Sequence, residues 1–368
     1  MKQIKQITSS VPKDFQLELL KTFIKKEINI NNNIVISPIS LLFPLALLAK
    51  GAQGQTLLEL QKVLSDISNK NKYIDNIKQI YDTIKNEKCL KIAGALLSKI
   101  KMSDMITQRA NLLDVKIDDI KNSNQINNWV KEKTGNKIKN IVDQVDPSTV
   151  LILLNAIYFQ DEWEEKFNST KTSNFYLSNN TTKKINLMYH KFKSANYIEN
   201  DDFQAINLRY KHSEITATII LPYKNISIND FILNSKFLSN YFKGSQPSIG
   251  GPEVELYLPK IKLENSYDLK TILHEMGLNQ ALEEKADFSL LSKTKPLFIS
   301  AIKQKTFLEI DEKGTTAAAA TFIGMTLGLK KNLPIIMRCD RPFLIYFCKY
   351  CPAIKENLVL FWAKIENP

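Results

Sequence analysis

Through the first third of the chain, apolar residues recur at helical spacing. Phe15, Leu17, Leu19, Leu20, Phe23 and Ile24 share one side of a helix, with Asp14 placed to cap it. Ser37, Pro38, Ile39 and Ser40 lead into residues 41–50, which read as a capped, mostly buried helix closed by Gly51. Pro44 lies inside this helix, where a proline is tolerated in the first turns and otherwise kinks the axis. A further helix opens over residues 56–63. Residues 122–141 predict an amphipathic helix with Ile126, Trp129, Val130, Ile138 and Ile141 on one side.

The period then changes. Residues 149–159 form a continuous β-rich apolar run, the pattern of a strand buried on both faces. Shorter strand patterns follow at 205–208, 215–221 and 254–263, then a helical piece over 267–276 that ends at Gly277. Strands return at 343–348 and 358–365. Helices early and strands late, with mixing between, predict an α+β fold built on a large sheet system. There is no internal repeat and no composition break, so residues 1–368 are expected to form one domain.

Composition changes this picture little. Over 368 residues, 44% hydrophobic and 24% charged content describe a globular chain. A net charge of +12 suits an acidic partner such as a heparin-like polyanion, but the lysines are scattered and interleaved with asparagine and isoleucine. They read first as solvated side chains, and neither nucleic acid nor membrane is expected as a partner. The first fifteen residues lack an apolar core with a small-residue cleavage site, which predicts a cytoplasmic protein or one secreted without a classical signal. Cys89, Cys339, Cys348 and Cys351 are too few for a disulfide framework. Cys348 and Cys351 have metal-knuckle spacing, yet no second pair completes a site, so no metal or cofactor is expected. The sequons at Asn168, Asn180 and Asn225 read as chance matches in an asparagine-rich chain. His190, His212 and His274 stand in unrelated contexts, with no nucleophile elbow or zinc motif near them, so an enzyme is not expected.

The informative stretch is residues 309–331, EIDEKGTTAAAATFIGMTLGLKK. Residues 307–310 alternate like a strand, and a run of small residues follows. Four alanines favour a helix, but the flanking glycine and threonines weaken that choice and no helical apolar face is present. As a strand, the segment places Thr315, Ala317, Ala319, Thr321, Ile323, Met325 and Leu327 on one face. That face is small and uncharged where it starts and apolar where it ends. Nothing in it resists burial between two strands, whereas a charge there would cost several kcal/mol. No proline interrupts residues 314–333.

Residues 312–321, EKGTTAAAAT, closely resemble the proximal hinge of inhibitory serpins. The likeness extends along the chain in the same order: 33–40, NIVISPIS; 51–56, GAQGQT; 128–130, NWV, with 133–138, KTGNKI; 154–159, LNAIYF, with Trp163 and Phe167; 258–263, LPKIKL; 286–289, ADFS; 341–343, RPF; and the closing residues 358–368. The resemblance implies the serpin fold, helices packed on three β-sheets with an exposed reactive-centre loop at about 313–333. It also implies a protease inhibitor that acts by one-use loop insertion.

Under this resemblance the hinge comprises Glu312, Gly314, Thr315, Ala317, Ala318, Ala319, Ala320 and Thr321. Family spacing from Glu312 places the attacked residue at Gly328, followed by Leu329, with Leu327–Gly328 and Leu329–Lys330 one residue away. A leucine suits a chymotrypsin-like or cathepsin-G-like pocket, a glycine an elastase-like one. Leucine is favoured because glycine fills no pocket; a serine protease is the expected target, with a cysteine protease as an alternative. Ser37, Ser40, Asn155 and Trp163 resemble the family's sheet-opening residues. Gln304 stands where a histidine is common, and Ala363 where a glycine is usual. A glutamine replaces only some of the histidine's hydrogen bonds and carries no charge, which puts the ease of sheet opening in question. The alternatives are a non-inhibitory serpin and a polyanion-binding serpin-fold protein. The chain is expected to be a monomer.

Overall fold

A computed structural model describes residues 13–27, 32–64, 70–241, 251–294, 296–314 and 333–368. Among them the strands form three sheets. The five-stranded sheet runs in the order Ile261–Asp268, Ile299–Ile310, Leu151–Phe159, Leu90–Ser98, Val115–Asp119. The six-stranded sheet runs Ile34–Ile36, Glu356–Ile365, Phe343–Cys351, Thr216–Pro222, Phe203–Arg209, Asn196–Glu199. The four-stranded sheet runs Ile335–Arg338, Val254–Pro259, Thr182–Phe192, Ser169–Tyr176. No helix among the described residues is long and apolar enough to cross a membrane.

The main core lies between the five- and six-stranded sheets. Helix Pro38–Gly51 passes between them, touching Glu356–Ile365 on one side and Leu90–Ser98 and Leu151–Phe159 on the other. Every residue in it except Lys50 is buried, which explains why its sequence is apolar all round. Ala363 is buried in the second strand of the six-stranded sheet, paired with Val35 and Ile345.

Strand Leu151–Phe159 is buried on both faces, as its continuous apolar run predicts. Leu151, Leu153, Ile157 and Phe159 enter the main core. Ile152, Leu154, Ala156 and Tyr158 face a second cluster under helix Ser123–Lys133 and the chain that returns from it. Asn127 fastens that return: its Oδ1 accepts from the N–H groups of Ile141 and Val142 at 2.9 and 3.1 Å, and its Nδ2 donates to the Val142 carbonyl at 2.8 Å.

The structure corrects four boundaries. The helix expected over 122–141 stops at Lys133, because Gly135 and Asn136 adopt left-handed backbone (φ 59° and 65°) and turn the chain back. Ile138 and Ile141 still reach the apolar cluster, but from the return segment, which is why helical spacing includes them. Residues 254–263 are two strands in different sheets, with Lys260 at the corner. The helix expected over 267–276 covers Lys270–Glu275, and Tyr267 belongs to the preceding strand. Asp14 lies inside helix Lys13–Lys26 instead of capping it.

Candidate functional site: a parallel seam in the five-stranded sheet

Ile299–Ile310 and Leu151–Phe159 are neighbours and run parallel, while each is antiparallel to its other partner. Their register pairs Leu154 with Lys303, Asn155 with Gln304, Ala156 with Lys305, Ile157 with Thr306 and Tyr158 with Phe307. A further strand could enter between two parallel neighbours and be antiparallel to both. Leu90–Ser98 and Val115–Asp119 form a second parallel pair in this sheet, but only the seam adjoins the end of Ile299–Ile310. The chain leaving Ile310 begins at one end of this seam. Folded back on Ile299–Ile310, it would run antiparallel to it. Both edges of that strand are paired, by Leu151–Phe159 at the seam and by Ile261–Asp268 on the other side, and only parting the parallel seam gives an entering strand two antiparallel neighbours.

A polar knot ties the seam on its inner face. Ser37 lies just before helix Pro38–Gly51, where the helix leaves backbone groups unpaired. The Gln304 amide meets the Ser37 N–H and the carbonyl beside it: its Oε1 accepts from Ser37 N–H at 3.0 Å and its Nε2 donates to the Ser37 carbonyl at 2.8 Å, which also accepts from Ser40 Oγ at 3.1 Å. Nε2 also lies 3.2 Å from Asn155 Oδ1 and 3.3 Å from Ser40 Oγ. Asn155 Nδ2 donates to the Ser40 carbonyl at 2.8 Å, and Ser40 Oγ donates to Asn155 Oδ1. All four side chains are buried. A primary amide supplies one acceptor and two donors, so Gln304 engages Ser37, Ser40 and Asn155 together without a titratable proton.

A second set of contacts holds the end of the seam. Residues 311–314 form a tight turn in which Asp311 N–H donates to Gly314 O at 2.8 Å. Trp163 N–H donates to Lys313 O and Phe167 N–H to Glu312 O, both at 2.9 Å, and Trp163 Nε1 donates to Asp311 O at 3.1 Å. Trp163 is itself fixed by stacking on Tyr210, with ring centroids 4.4 Å apart. Gly314 (φ 144°) lies so close to the backbone of 161–163 that a Cβ would stand 2.2 Å from Asp161 O. Only glycine fits there.

Glu312 is held from the side. Its carboxylate pairs with Lys260 Nζ at 2.5 Å and accepts from Thr170 Oγ1 at 2.7 Å. Burial pushes this carboxyl up, but Lys260, Thr170 and the Glu312 backbone N–H outweigh burial and hold it below the usual carboxylate range. Lys260 sits at the corner between two sheets, so this pair links the 311–314 turn to both. Sequence reading passed over Lys260 and Thr170, because neither is near Glu312 in the chain. The signal available for Lys260 was one of two lysines in the LPKIKL stretch, which is not specific.

Of the sequence-predicted residues, the structure brings together Ser37, Ser40, Asn155 and Gln304 in one cluster, and Trp163, Glu312 and Gly314 in another. Thr315, Ala317, Ala318, Ala319, Ala320 and Thr321, with Leu327, Gly328 and Leu329, lie outside the described residues. Among the described residues, no group of side chains could hold a metal ion. Burial pushes the Cys89 thiol up to about 12 and the Cys348 thiol up to about 11, so neither is poised as a nucleophile.

The family model described as "Serpin (serine protease inhibitor)" matches residues 10–368. Serpin B6 of Pongo abelii is 32% identical over 96% of this chain and 97% of its own length. Leukocyte elastase inhibitor of Sus scrofa is 31% identical over 96% of this chain and 97% of its own length. Among solved structures, the thermophilic serpin Tengpin in its native state superposes with a TM-score of 0.85 and 27% identity, covering 97% of this chain and 93% of that one. The two clusters, the parallel seam between them and these likenesses lead to one conclusion: the chain belongs to the serpin family.

Proposed function

We propose that this chain, working as one domain, inhibits a protease by presenting the segment after Gly314 as a substrate and inserting it, once cut, into the seam. The carrying observation is the parallel adjacency of Leu151–Phe159 and Ile299–Ile310, at whose end Gly314 stands. The protease nucleophile adds to the carbonyl of the attacked residue, the peptide C–N bond breaks, and the new amine leaves with the C-terminal fragment. An ester joins the protease to the hinge side. The hinge is then free to enter the seam as a strand antiparallel to both neighbours.

Nine inserted residues, 315–323, would match the nine of Leu151–Phe159. They span about 30 Å at ~3.3 Å each. A protease esterified a few residues further on is therefore carried past the far end of the sheet before water can cleave the ester. Thr315, Ala317 and Ala319 are small enough to be buried on one face during this passage. Non-inhibitory loops have no need of that pattern, so inhibition is the better reading.

The target is a protease that accepts leucine, a chymotrypsin-like or cathepsin-G-like enzyme, cutting after Leu327 or after Leu329. Cleavage after Gly328 would instead indicate an elastase-like pocket. The chain acts as a monomer in the cytoplasm, or outside the cell without a classical signal, and its +12 charge leaves a heparin-like polyanion as a secondary partner. Incubation with chymotrypsin-, elastase- and trypsin-like proteases, followed by denaturing gels and the mass of the released peptide, tests this reading. A complex that survives denaturant, and a peptide starting at 328, 329 or 330, are expected. Thr315→Arg places a charge on the inserting face and should turn the inhibitor into a substrate. Cleavage without complex for every protease would overturn the proposal.

A further inference from the structure

The outer face of the seam carries a feature that loop insertion must undo. Tyr158 and Phe307 are register partners across the parallel pair, with ring centroids 5.6 Å apart. Lys137 lies over both: its Nζ is 5.4 Å from the Tyr158 centroid and 5.9 Å from the Phe307 centroid. Both distances fall within the ~6 Å over which an ammonium is drawn to an aromatic face. One cation therefore spans the seam, touching one ring from each strand.

The local chain places it there firmly. Gly135 and Asn136, both left-handed, reverse the chain just after helix Ser123–Lys133 and direct Lys137 onto the sheet. Thr134 Oγ1 donates to Val130 O at 2.8 Å and accepts from Ile138 N–H at 3.2 Å, bracketing Lys137. Ile138 is fully buried against the sheet, and the Asn127 bonds fix the residues that follow. The backbone on either side of Lys137 is thus pinned while its ammonium sits over the rings.

We infer that Lys137 is a positioning residue for insertion: by spanning Tyr158 and Phe307 it holds the seam closed from the outside and sets how fast a new strand can enter. This rests on the insertion reading above. Admitting a strand widens the spacing of the two neighbours from about 4.8 Å to about 9.6 Å. An ammonium at its present height would then lie about 7 Å from each ring, beyond the reach of the interaction. The attraction exists only while the seam is closed, so its loss counts fully against opening.

The test uses uptake of a labelled synthetic peptide with the sequence of residues 315–326 by the intact chain, which needs no knowledge of the target protease. Lys137→Met keeps the side-chain length and removes the charge; it should accelerate uptake roughly five- to thirty-fold. Lys137→Arg, which also stacks on aromatic rings, should restore the slow rate. In a Phe307→Leu background, Lys137→Met should add little, because one ring of the bridge is already gone. Lys139→Met, an exposed neighbour in the same segment, should leave uptake unchanged. Equal rates for Lys137→Met and the unmodified chain would overturn this inference while leaving the insertion reading intact. Failure of every variant and of the unmodified chain to take up peptide would count against insertion itself.

Discussion

Gln304 and Asn155 face each other across the parallel seam, with Gln304 Nε2 3.2 Å from Asn155 Oδ1 and both side chains shut off from solvent. The same amide also pairs with both backbone groups of Ser37, so a single side chain joins the two strands to the start of the buried helix. Gln304→Ala strips partners from Ser37 and Asn155 in a dry site, each at about 1–3 kcal/mol. A total loss of about 3 kcal/mol is expected, read as a lower urea midpoint with unchanged slope. Peptide uptake into the seam should accelerate in the same variant.

Gly314 makes a separate prediction. A side chain there meets Asp161 O at 2.2 Å and the Glu162 Cα at 2.5 Å, and the backbone is in a region that L-residues rarely adopt. Gly314→Ala should detach the 311–314 turn from Trp163, lowering stability by about 2 kcal/mol or more. The indole fluorescence of the variant should shift, because Trp163 Nε1 loses its bond to Asp311 O. An unchanged spectrum and midpoint would mean that the turn is not held as described.

Glu312 carries a pH dependence whose sign is set by its shift. Its carboxyl lies below the ordinary value of 4.5 in the folded chain. The stabilisation is therefore complete above about pH 4.5 and is lost as the pH falls through the folded value. Lys260 is partly exposed, so the contribution is small, under about 1 kcal/mol. Urea midpoints of the unmodified chain and of Glu312→Gln should differ at pH 7 and converge on acidification. A difference that grows in acid would contradict the pairing.

Lys364 and Glu366 form a fully buried ion pair at 3.0 Å near the end of the chain. Asn229 Oδ1 accepts from Lys364 Nζ at 3.0 Å, and Ser178 Oγ donates to Glu366 Oε2. Lys364→Met strands a buried carboxylate and should cost about 3–5 kcal/mol. Lys364→Met combined with Glu366→Gln should recover part of that loss. Strict additivity in this double-mutant cycle would show that the two side chains do not act as a pair.

These features were unequally legible along the chain. Strand Leu151–Phe159 announces itself because both faces are buried, so no polar residue but Asn155 interrupts it. Its seam partner Ile299–Ile310 was readable only from residue 307, because Lys303 and Lys305 lie on the outer face and break the apolar alternation. The hairpin of Ser169–Tyr176 and Thr182–Phe192 went unread, since the first strand is a polar edge exposed along most of its length. The members of the Gln304 knot were identified through family likeness, and residue chemistry alone would not have joined serines 37 and 40 to a glutamine far down the chain. Lys137 was unreadable as anything but a solvated lysine, because its place depends on a backbone reversal that merges with the preceding helical pattern.

The parallel seam has a consequence for how long such a molecule keeps its use. On the proposed mechanism, the intact chain has one ladder where the filled sheet has two. Its working form is then not its lowest state but one detained behind a barrier made of the Gln304 knot, the Trp163 contacts and the 311–314 turn. Shelf life is in that case a rate, governed by how often those fastenings let go together, and an equilibrium measurement would register the wrong quantity. Heat would age this protein before it melts it.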